Sequence, residues 1–160
     1  MGLDLSVGNE SCGSWSYSGF NDFRRKLAEQ VGIVLGNMEG FHNFNYRDFT
    51  RFSDYMDAIK LDSLAPKISW ETVDDPIKHL LSHSDCDGEL DSSICGELAD
   101  RLEEIIMNWP TKRTLNLSDF WQANSYPAKM ELDDYDTTQA RRLVEGLRKA
   151  AELNIPVEFH

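Results

Sequence analysis

The sequence predicts an α+β fold, a single mostly helical domain over residues 1–160 with a small β-sheet. Three observations carry this. Apolar residues recur at steps of three and four in several separate stretches, the period of a half-buried helix. Short alternating runs lie near both ends, Leu3-Asp4-Leu5-Ser6-Val7 and Val157-Glu158-Phe159, the period of a strand. The chain has 160 residues, 41% hydrophobic and 28% charged, which is the size and composition of one domain able to build its own core.

Leu3, Leu5 and Val7 give a first strand one apolar face. Gly8–Ser16, rich in Gly, Ser and Asn, reads as a loop. Ser18 reads as the cap of a helix carrying Phe20, Phe23, Leu27, Val31 and Val34, with Gly32 and Gly36 near its end. Residues 37–47 are aromatic and irregular. A second helix is expected from about Asp48, with Phe49, Phe52, Met56 and Ile59 on its apolar side and Pro66 closing the stretch. Lys67–Val73 alternates, so a short strand is expected there. Pro76 suits the first turn of a helix with Ile77, Leu80 and Leu81, which breaks at Ser82–Gly88.

A longer helix is predicted from Ser92 to Asn108, capped by Asp91 or Ser92. Its stripe is Ile94, Leu98, Leu102, Ile105 and Trp109, and Pro110 ends it. Residues 111–136 show no sustained period, with Phe120 and Trp121 as small anchors. Asp136 and Gln139 resemble a capping pair opening a C-terminal helix with Ala140, Leu143, Val144, Leu147 and Ala151. Asn154 and Pro156 end that helix. Val157 and Phe159 are then expected to pair with residues 3–7.

The charge balance narrows the function. There are 28 Asp and Glu against 16 Lys and Arg, a formal net charge of -12. This argues against general nucleic-acid binding, which needs cations facing phosphates. It argues equally against an anionic membrane surface. No run approaches the length of a spanning helix. Met1-Gly2-Leu3-Asp4 lacks the basic and apolar regions of a signal peptide, so a cytoplasmic location is expected. The cysteines, Cys12, Cys86 and Cys95, are odd in number with no CxxC, which predicts reduced and partly buried thiols.

Against this acidic background one neighbourhood is basic and aromatic. Trp15 and Tyr17 precede Arg24 and Arg25, and His42, Tyr46, Arg47 and Arg51 follow. Aromatic faces can stack a base and arginine forks take a phosphate two oxygens at a time. Arg47 and Arg51, four apart, would share a helix face. These eight residues are the expected pocket for a small anionic, nucleotide-like ligand. No Walker motif and no G-x-G-x-x-G accompany them. The core-packing alternative puts Trp15 and Tyr17 inside and pairs the arginines with Asp22, Glu29 and Asp48.

Two metal readings fall on the loop His83–Asp91. With Gly88 at position 6 of a calcium loop, Asp85, Asp87 and Asp91 take positions 3, 5 and 9. His83 at position 1 and Ile94 at position 12 depart from that pattern, so a turn with a capping Asp is the competing reading. His79, His83, Cys86 and Cys95 are zinc ligand types, in the unfamiliar spacing H-x3-H-x2-C-x8-C. No cofactor is expected; calcium or zinc, held by His83, Asp85, Asp87 and Asp91, is the alternative. The carboxylates of residues 85–104 and 131–136 would offer a DNA-like acidic surface to a basic protein partner. Catalytic patterns such as G-x-S-x-G or H-E-x-x-H are lacking, and Cys12 with a distant His is the one nucleophile–base pairing to consider.

Trp15-Ser16-Tyr17-Ser18-Gly19-Phe20 with Phe23-Arg24, and Leu80-Leu81-Ser82-His83-Ser84-Asp85-Cys86-Asp87-Gly88-Glu89-Leu90 with Cys95 and Leu98-Ala99, resemble a group of small uncharacterised proteins of bacteria and their phages. Met1-Gly2-Leu3-Asp4 fits the same group. The resemblance implies a phage or prophage setting, in which small acidic proteins bind a host defence protein or sequester a nucleotide signal. It assigns no functional residue.

Overall fold

The computed structural model describes residues 2–109 and 134–160. A four-stranded antiparallel sheet has the order β2-β1-β4-β3, built from β1 (Gly2–Val7), β2 (Glu10–Ser16), β3 (Gly88–Leu90) and β4 (Val157–Phe159). The expected pairing of the two termini is present: Leu5 stands opposite Phe159 and Ser6 opposite Glu158. Leu3, Leu5, Val7, Val157 and Phe159 are all buried, one face of the alternation at each end.

Gly8–Ser16 is not a loop. Gly8 and Asn9 alone link β1 to β2, with Gly8 at the positive φ (59°) that the first position of a two-residue hairpin link needs. Cys12 is a one-residue bulge between the pairs Leu5–Gly13 and Ser6–Ser11. The outer edge of β2 is covered by a C-terminal helix, α5 (Asp134–Leu153). Tyr135 Oη donates to the Ser14 carbonyl (2.6 Å), Gln139 Oε1 accepts from the Ser14 N–H (2.9 Å), and Arg142 Nη2 donates to the Ser11 carbonyl (3.2 Å). Residues at steps of four and three along α5 thus satisfy a strand edge whose composition alone reads as a turn.

Four more helices are described: α1 (Tyr17–Gln30), α2 (Phe52–Asp62), α3 (Lys78–Leu81) and α4 (Ser92–Met107). Ser16, not Ser18, caps α1, its Oγ accepting from the Gly19 N–H at 3.0 Å. The helix stops at Gln30, so Val31 and Val34 lie beyond it and Val34 is exposed. Asp91 caps α4 as expected, accepting from the Ser93 N–H (2.8 Å). Leu98, Leu102 and Ile105 of α4 are buried, and this helix packs along α5, where Leu143, Val144 and Leu147 face the core. Asp136 and Gln139 form no capping pair. The helix already runs through them, and both are buried against β2 and α1.

Two further expectations fail for want of partners. The segment 67–73 makes one isolated bridge, Ile68 to Met38, followed by a 3₁₀ turn, Trp70–Thr72. The second helix begins at Phe52, after a separate 3₁₀ turn, Tyr46–Asp48, and buries none of its residues. Phe52 of its expected apolar side is 62% exposed. Phe120, Trp121 and the acidic residues Glu131 and Asp133 lie outside the described residues. No described helix is long and apolar enough to cross a membrane.

Candidate functional site

Among the described residues an open cleft of about 490 Å³ is within the usual range for a small-molecule site. Its most ordered wall is the start of α1, which contributes Tyr17, Ser18, Asn21, Arg24 and Arg25. Capping by Ser16 sets the phase of this helix, so that Phe20, Phe23 and Leu27 face the core. Opposite stands the irregular segment with Glu39, Phe41, His42 and Phe44, joined by Tyr55 of α2. Ser82, His83, Ser84 and Asp85, which follow α3, complete the rim.

Arg24 is the central side chain. It lines the cleft with only 4% of its side chain exposed. Its Cζ lies over the Phe20 ring (4.8 Å) and the Phe41 ring (5.0 Å), a cation–π arrangement. Nη1 donates to the carbonyls of His83 (2.5 Å) and Leu81 (3.4 Å). Nη2 faces Asp85 Oδ2 at 3.8 Å. Nε is buried without a hydrogen-bond partner. Burial pulls the guanidinium below its ordinary value and the Asp85 charge offsets part of that; a guanidinium is basic enough to remain a cation in a protein at neutral pH.

A polar network holds the far wall. Arg25 Nη2 donates to the His42 carbonyl (2.7 Å). His42 Nδ1 sits 2.7 Å from Asp62 Oδ2, and Lys67 Nζ donates to the same oxygen (2.6 Å) and to the Gly36 carbonyl (2.8 Å). The Lys67 ammonium, then the His42 ring, hold the Asp62 carboxyl below its usual range. An ionised Asp62 accepts, so His42 carries its hydrogen on Nδ1. The His42 ring stacks on Phe44 at 5.5 Å.

Of the eight residues expected to bind a ligand, the fold brings four to the cleft: Tyr17, Arg24, Arg25 and His42. Trp15 points the other way. It is buried against Phe20 and Phe23, and its Nε1 donates to Asp136 Oδ1 (3.2 Å), a carboxylate that also pairs with Lys26. Tyr46, Arg47 and Arg51 are exposed and outside the cleft. Arg47 and Arg51 share no helix face, because a 3₁₀ turn holds one and the other precedes α2. Phe41, Phe44, Tyr55 and Glu39 were not singled out as ligand residues. The run of aromatics in 41–55 is the one signal for the first three, and nothing in the sequence marks Glu39.

The loop 83–91 has its side chains engaged elsewhere. The His83 ring stacks on Phe159 (3.8 Å between centroids), with Nδ1 2.8 Å from the Ser84 carbonyl and Nε2 3.3 Å from that of Glu89. Asp85 faces Arg24, Asp91 caps α4, and Asp87 accepts from the Ser84 hydroxyl at 3.4 Å. The helix α3 ends at Leu81, at the expected break, and the later part of the loop, Gly88–Leu90, is strand β3. Cys95 is buried, which pushes its thiol up to about 11, and burial likewise lowers His79. Among the described residues no three His, Cys, Asp or Glu side chains gather as metal ligands would. All three cysteines are free, and burial pushes the Cys12 thiol up to about 11, far from a thiolate nucleophile at neutral pH. Three carboxylates of the acidic run 85–104 are also paired internally: Arg148 takes Asp100 and Glu103, and Arg101 takes Glu104, together with Asp75 from outside the run.

Compared with protein-family models, with curated proteins and with solved structures, the chain matches none.

Proposed function

We propose that the chain is a binding protein that sequesters a small ligand with an aromatic body and an anionic group, of nucleotide type, in the cleft between α1, residues 39–45 and residues 82–85. The observation that carries this is Arg24, a buried cation lining a ligand-sized cleft with a donor left unpaired. Buried donors are nearly always satisfied, and one that is not marks a place for a missing partner. Tyr17, Phe44 and Tyr55 supply ring faces at the same cleft, and Arg25 a second cation. The resemblance to phage and prophage proteins supports a role against a nucleotide signal of host defence.

The test is a titration with adenosine 5′-monophosphate followed by ¹H–¹⁵N NMR. The Arg24 Nε–H signal and the backbone amides of residues 17–25, 39–45 and 82–85 are expected to shift together and saturate. A spectrum that stays still, or shifts that fall elsewhere, removes the cleft as the site.

A further inference from the structure

Arg24 uses its donors unevenly. Nη1 is spent on the carbonyls of Leu81 and His83. The Nε–H and one N–H of Nη2 project from another edge of the guanidinium plane, and that pair is the fork that accepts two oxygens of one carboxylate or phosphate. On that edge Nε is buried and unpaired. Nη2 has the Asp85 carboxylate, but at 3.8 Å, an ion contact without a hydrogen bond. An acid therefore stands beside the fork without occupying it. Asp85 is itself loosely held, with 41% of its side chain exposed and its Oδ1 3.4 Å from the Cys86 thiol.

The charges lining the cleft point the same way. Arg24 and Arg25 face Glu39 and Asp85, so the cleft is balanced as it stands. Exchanging the Asp85 carboxylate for another carboxylate keeps that balance, and exchanging it for one phosphate monoester, with about −1.5 to −2 charges near neutral pH, departs from it by one charge at most. A chain of phosphates would add charge next to Glu39 that two arginines cannot neutralise.

We propose that Asp85 is a built-in stand-in for the ligand: a ligand bearing a single oxyanion group, one carboxylate or one phosphate, takes the Nε–Nη2 fork of Arg24 and turns Asp85 out to solvent. This rests on the cleft being the binding site. It makes Asp85 a residue that sets affinity and charge selectivity without touching the ligand.

Asp85→Asn tests it, with adenosine 5′-monophosphate, benzoate and adenosine triphosphate as probes. Removing the competing charge is expected to tighten binding of the monophosphate or of benzoate by about two- to fivefold. The probe that gains identifies phosphate or carboxylate as the source of the oxyanion. In the unaltered protein the Asp85 and Cys86 amide signals are expected to move with the same midpoint as the Arg24 Nε–H, a readout that needs no variant. Equal or weaker binding by Asp85→Asn overturns the inference while leaving the cleft a site, as do Asp85 signals that stay fixed while Arg24 moves, or triphosphate binding tighter than monophosphate. If neither protein binds the monophosphate or benzoate, the cleft reading falls and the exchange falls with it.

Discussion

Gly146 lets α5 lie against the sheet. A Cβ built there would stand 2.3 Å from Cys12 Cβ and 2.8 Å from its sulfur, on a bulge whose backbone is fixed by pairing to β1. Alanine is the better helix former by about 1 kcal/mol, so propensity and packing oppose each other at this residue. The clash is between two atoms that cannot rotate away, and overpacking of that kind costs about 1–3 kcal/mol or more. Packing wins: Gly146→Ala is expected to lower stability in urea denaturation. Adding Cys12→Ala leaves the cost in place, because the offending atom is Cβ, whereas Cys12→Gly removes part of it. A Gly146→Ala protein as stable as the parent would show that α5 can lift from β2 freely.

Among the elements, the segment 36–48 depends on tethers instead of a ladder. Lys67 and His42 meet at Asp62, Trp70 Nε1 donates to the Glu39 carbonyl (3.0 Å), and Arg25 holds the His42 carbonyl. The folded value of Asp62 lies below its ordinary 3.8, so its ionised form is the one the fold favours. The stabilisation is fully present above 3.8 and is lost as pH falls through the lower folded value. Melting curves of the parent and of Asp62→Asn should therefore differ most at neutral pH and converge on acidification below 3.8. A gap that persists in acid would mean the carboxylate is not paired. The same contrast explains what could be read in advance. The helix α4 was legible because its determinants are local, a capping Asp91 and an unbroken stripe. The strand β2 was not, because Tyr135, Gln139 and Arg142, more than a hundred residues away in sequence, satisfy its edge. Part of the cleft was legible for a similar reason. Tyr17, Arg24 and Arg25 lie within three turns of one helix, whereas nothing local says that Asp85 meets Arg24. Trp15 misled because a tryptophan two residues from Tyr17 is still on the strand, facing the opposite way into the core.

At the scale of the molecule, the apolar core among the described residues is continuous through the sheet, α1, α3, α4 and α5, and takes in no residue of 42–64. The helix α2 contributes no buried residue, and Phe44, Tyr46, Phe49, Phe52 and Tyr55 meet one another rather than the core. Little apolar burial opposes its opening, so its amides should exchange through a low-energy local event while those of Leu98–Ile106 and Leu143–Ala150 wait for global unfolding. The cleft thus joins a stiff wall, α1, to a soft one, residues 39–45 with Tyr55. A ligand bridging both stabilises the soft wall by mass action. Hydrogen exchange read by mass spectrometry checks both statements at once. Peptides covering 52–62 should exchange well before those of α4 and α5, and slow when adenosine 5′-monophosphate is added. Protection of 52–62 equal to that of α4 would place α2 in the cooperative core despite its exposure. Exchange there that ignores a probe already seen to bind would confine the ligand to the α1 side.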